Sequence, residues 1–101
     1  MEDIVKALNN FVDVNYGVEG RFIHSKSYTI DTKFKAYKHY KLMLYYVIDG
    51  NNIPIIEEDI TVKETTGEDN NSYLRIKFLE AVYDYVASDE FRALMYGKII
   101  F

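Results

Sequence analysis

A chain of 101 residues that is 49% hydrophobic is long enough for one domain with its own apolar core. It contains no cysteine, which excludes thiol nucleophiles, disulfide scaffolds and sulfur-bound zinc. The formal net charge of -4 favours solubility over general attraction to polyanions, and neither a targeting leader nor a membrane span is expected. A soluble, cytoplasmic protein outside the membrane is expected.

Ile4, Val5, Leu8, Phe11 and Val12 recur at three- and four-residue spacing, with Lys6, Asn9 and Asp13 opposite, and predict an amphipathic helix over residues 2 to 14. Glu2 and Asp3 suit the positive end of its dipole, and Gly17 or Gly20 can end it. From Arg21 to Glu64 the period falls to two. A first strand is expected from Arg21 to Ser27 or as far as Ile30. A second, about Lys33 to Ile48, is long enough to carry a bulge. Asp49-Gly50-Asn51-Asn52 then reads as a hairpin turn, and Ile53 to Lys63 as a third strand with Pro54 at its start or edge.

Thr65 to Asn71 is polar and predicts a loop. Over Tyr73 to Ala87 helical spacing returns, with Leu74, Phe78, Leu79, Val82, Tyr85 and Val86 on a wide apolar arc expected to be the main cover of the sheet. Ser88 before Asp89 and Glu90 is an N-cap pattern, predicting a second helix to Tyr96 that ends at Gly97. The expected fold class is α+β: an N-terminal helix, a three-stranded antiparallel sheet, then two C-terminal helices packed on one face of the sheet, all in one domain.

Charge is unevenly distributed. From Arg21 to Lys41 there are six Lys or Arg and one acid, whereas Asp49 to Glu90 holds eleven acids and three bases. If Lys33 to Lys41 is a strand, Lys33, Lys35, Tyr37, His39 and Lys41 share one face, and Phe34, Ala36, Lys38 and Tyr40 the other. A basic face with aromatics on which bases stack is what single-strand nucleic-acid binders use. The same residues also make an ordinary solvated strand whose lysines discourage edge-to-edge aggregation. Helix, three strands and helix resembles the element order of double-stranded RNA-binding domains, but their Gly-Pro-x-His loop and lysine cluster are missing. Gly67-Glu68-Asp69-Asn70-Asn71 stands before the long helix instead.

Catalytic chemistry is hard to place. His24 and His39 lie on neighbouring predicted strands, and a metal would need both plus a carboxylate such as Glu57, Glu58 or Asp59. No H-x-x-x-H or H-E-x-x-H spacing supports one. Ser25 beside His24 cannot act as a nucleophile–base pair, because strand neighbours point to opposite faces. The phosphate-loop, dinucleotide-loop and nucleophile-elbow patterns are all missing. Neither an enzyme nor a cofactor is expected.

Ten tyrosines in a chain without tryptophan, some of them expected in the core, suit a protein-contact surface and equally a stable strand. The expected function is a small non-enzymatic protein-binding module. The candidate interaction surface is Lys33, Lys35, Tyr37, His39, Lys41, Glu57, Glu58 and Asp59. A composition rich in Ile, Lys, Asn, Tyr and Phe fits AT-rich codons, hence a low-GC bacterium or its phage or mobile element, where such chains inhibit or adapt host machines. A single-stranded nucleic-acid binder using residues 21–41 and a structural or assembly subunit are the alternatives. The apolar end Ile99-Ile100-Phe101 is the candidate self-association segment of a homodimer.

Overall fold

The N-terminal periodicity becomes helix α1, Glu2–Tyr16, which buries Ile4, Val5, Leu8 and Val12. It ends where Gly17 takes a left-handed φ of 64° and its N–H bonds back to Asp13. A Cβ there would be strained, so glycine supplies the stop. These positions come from a computed structural model describing residues 1–31, 33, 36–63 and 70–99. The strands follow as β1 (Phe22–Ile30), β2 (Tyr37–Ile48) and β3 (Asn51–Lys63), and the C-terminal helices as α2 (Asn71–Val86) and α3 (Asp89–Ile99).

The sheet is an antiparallel meander in the order β1-β2-β3. Its hairpin turn is tighter than the four residues expected: Asp49 and Gly50 alone make it, with φ of 52° and 77°, the primed geometry that matches strand twist. Two further expectations are corrected. β2 begins at Tyr37 rather than Lys33. The extra residue lies in β3, where Tyr45 pairs with Pro54 and Leu44 with Ile56, leaving Ile55 over. Pro54 has no N–H to hold a regular ladder, and the irregularity sits beside it.

One face of the sheet carries Phe22, Tyr40, Leu42, Leu44, Tyr46 and Ile60, all buried against the helices. α1 and α2 share the cover, so α2 is not its main source. α2 contributes Leu74, Phe78 and Val82. The Ser88 hydroxyl accepts the Phe91 N–H at 3.3 Å, the cap expected for α3. Gly97 does not stop that helix, which runs on to Ile99. Phe91 is fully buried, with ring centroids 5.7 Å from Tyr16 and 5.4 Å from Tyr85. Each fully buried large side chain contributes roughly 1.5–3 kcal/mol.

Asn9 ties α1 to the sheet. Its side chain accepts the Phe22 N–H at 2.8 Å and donates to the Phe22 C=O at 3.1 Å. Gly20 makes this approach feasible, since a Cβ there would sit 2.5 Å from the Asn9 Cα. Arg75 of α2 reaches Asp3 of α1 at 2.6 Å, where both helices begin. None of the described helices is long and apolar enough to cross a membrane.

Candidate functional site: the open face of the sheet

All of the buried helix residues pack on one side, so the second face of the sheet is left without a described helix over it. Alternation sends the odd-numbered residues of β2 to this open face. The strand register then fixes what lies beside them. Thr29, His39 and Thr61 form one row across the three strands, and Ser27, Lys41 and Asp59 the next. Ser25, Met43 and Glu57 come third, followed by Ile23, Tyr45 and Pro54. Val47 completes the open side of β2.

The polar half of this face is internally paired. The Lys41 ammonium lies 2.9 Å from the Glu57 carboxylate. That hydrogen bond first, then the charges of Glu57 and Asp59, hold the Lys41 pKa above the ordinary lysine value. The His39 ring meets the Thr61 hydroxyl at 2.9 Å through Nδ1 and the Asp31 carboxylate at 3.2 Å through Nε2. Both contacts hold the ring in one orientation.

The apolar half is the part that the charged-strip reading missed. Met43 is only 9% exposed, Tyr45 and Val47 are half-buried, and Ile23 is 40% exposed. In the sequence, Leu42 to Ile48 is apolar at odd and even positions alike. That is the signature of a strand with apolar surface on both faces, and it could have pointed to this patch.

The candidate residues separate on folding. Tyr37, His39, Lys41, Glu57 and Asp59 do share the open face. Glu58 turns to the helix side, opposite Leu42. Lys33 lies in the connection between β1 and β2, its N–H bonded to the Asp31 carboxylate at 2.8 Å, while Lys35 lies outside the described residues. Lys38 faces the helix side, 5.0 Å from the Tyr28 ring centroid. Ile99 closes α3, and Ile100 and Phe101 are also outside the described residues.

The two histidines are not brought together. His24 points to the helix side, 6.2 Å from the Phe78 ring, and His39 to the open side. Among the described residues no group of three His, Asp or Glu is placed to hold a metal ion. No family model, curated protein or solved structure matches the chain.

Proposed function

We propose that this chain is a small non-enzymatic protein-binding module that docks its partner on the open face of the sheet. The observation that carries this reading is the apolar patch of Ile23, Met43, Tyr45, Val47 and Pro54, set on three paired strands and bordered by the Lys41–Glu57 ion pair. Protein interfaces combine an apolar, aromatic centre with a polar rim. A strand scaffold offers the patch with little ordering left to do on binding.

The same geometry favours a protein over a nucleic acid. A strand-borne phosphate track needs unpaired cations in sequence along one face. Here Lys38 faces the helices and Lys41 is matched by Glu57 and Asp59. A cytoplasmic role as an inhibitor or adaptor carried by a phage or mobile element of a low-GC bacterium goes with this proposal on composition alone.

The test is affinity capture from the native host, repeated with Ile23→Glu and Tyr45→Ala chains that keep the wild-type circular dichroism. A partner retained by the wild type and lost with both variants supports the open face as the docking site. A partner held equally by all three chains refutes it. Oligonucleotide binding that falls steeply with salt would support the nucleic-acid alternative instead.

A further inference from the structure

The two edges of the sheet are unequal. Val47 N–H bonds to Arg21 C=O at 2.9 Å and Asp31 N–H to Tyr37 C=O at 3.1 Å. These fix the phase of the ladder: odd-numbered residues of β1 exchange hydrogen bonds with β2, and even-numbered ones point their N–H and C=O outward. At Phe22 the Asn9 side chain occupies both outward groups, as a neighbouring strand would. At His24, Lys26 and Tyr28 they have no backbone partner among the described residues. The β3 edge is protected by Pro54, by the extra residue Ile55 and by three consecutive acids, Glu57 to Asp59. Proline, bulges and charge are how free edges avoid strand addition. β1 carries none of these devices but Lys26.

We infer that two copies of this chain pair antiparallel through their β1 edges, about a twofold axis at Ser27, and join two three-stranded sheets into one of six strands. This register sets Lys26 opposite the partner's Tyr28 and Ser25 opposite the partner's Thr29. Hydroxyl pairs of that kind favour pairing across strands. Centring the axis on Lys26 instead would set two ammonium groups directly opposite, which repels. Both edges of the joined sheet are then β3, the protected strand.

The first helix leaves room for this. Asn9 sits at Phe22, and α1 runs back along β1. A helix rises ~1.5 Å per residue against ~3.4 Å for a strand, so Met1 reaches roughly the row of Lys26. Met1 and Lys26 do line one depression. α1 therefore stays on the Phe22 side of Ser27, and the twofold axis carries the partner's α1 to the other side. There Tyr28 and Ile30, 54% and 52% exposed, face the helix side of the sheet. Their exposure is explained by a surface that a second copy covers.

Sedimentation of the intact chain at about 100 µM, far above a micromolar dissociation constant, is the first measurement. A dimer is expected. Lys26→Pro removes an outward N–H but no bond to β2, and should sediment as a monomer with unchanged circular dichroism. On this cysteine-free background Ser27→Cys should cross-link under mild oxidation, because residues facing across such a non-hydrogen-bonded position lie about 4.5 Å apart at Cα. Ser25→Cys, about 14 Å from its own copy, should not. A wild-type monomer at that concentration, a folded Lys26→Pro dimer, or a dimer in which Ser27→Cys fails to cross-link overturns the inference. If Lys26→Pro does not fold, the cysteine pair decides alone.

Discussion

The side chain of Asn9 meets the backbone of Phe22 with both of its polar atoms, at 2.8 and 3.1 Å, and holds the first helix to the first strand. Asn9→Ala leaves a part-buried N–H and C=O without partners, which costs about 1–3 kcal/mol. Gly20→Ala drives a methyl into the Asn9 backbone and should cost about 1–3 kcal/mol by overpacking. Urea denaturation of each variant checks both values. If Asn9 is only a surface residue, its truncation will change stability by less than about 0.5 kcal/mol.

Phe78 is fully buried in α2 and touches the sheet core. Phe78→Ala is expected to lose about 3–5 kcal/mol. A loss under about 1 kcal/mol in the same denaturant measurement would mean that the helix presents another face to the sheet.

Asp3 gives a signature in acid. The hydrogen bond from Arg75 is the main cause that lowers its carboxyl pKa from 3.8 to about 2. A carboxyl depressed on folding stabilises the native state above its unfolded pKa, and that contribution fades as pH falls through the folded one. The stability gap between wild type and Asp3→Asn should therefore be constant near neutrality and close between pH 3.8 and about 2. Because both groups are exposed, the gap itself is small. Carboxyl titration by NMR, followed residue by residue, reads the pKa directly, and an Asp3 midpoint at its ordinary value would disprove the pairing.

Tyr85 gives the opposite signature in alkali. Burial, reinforced by the charge of Glu90, pushes its phenol from 10.0 to about 12. The unfolded chain then loses this proton at lower pH than the native one, so stability falls as pH rises from 10.0 through about 12. Tyr85→Phe should flatten that fall and leave the acid limb unchanged. Absorbance titration of the phenolates together with thermal melts checks it, and identical alkaline slopes for the two chains would exclude a buried phenol.

The fold was legible wherever local chemistry and packing agreed. Ile4, Val5, Leu8 and Val12 announce α1 and are all buried, and Asp49-Gly50 marks the turn that forms. Boundaries failed where a residue allowed more than it required. Gly97 permits a helix end without imposing one, and α3 continues through it. The lysines from Lys33 onward extend the alternation of β2 by pattern alone, while the backbone of β1 and β2 first meets at Asp31 and Tyr37. The site was half legible. Alternation assigns Tyr37, His39 and Lys41 to one face, yet the pairing of Lys41 with Glu57 depends on cross-strand register. The apolar patch depends on where the helices settle, which periodicity does not encode.

The meander order has a consequence for how the chain folds. Each strand pairs with its neighbour in sequence, so both hairpins close through short loops at little entropic cost. The Asp3–Arg75 contact spans 72 positions and closes only when α1 and α2 have reached the same side of the finished sheet. Substitutions in the β2–β3 hairpin should then slow refolding. Those at Asp3 or Arg75 should chiefly speed unfolding, as expected of a contact made late in folding.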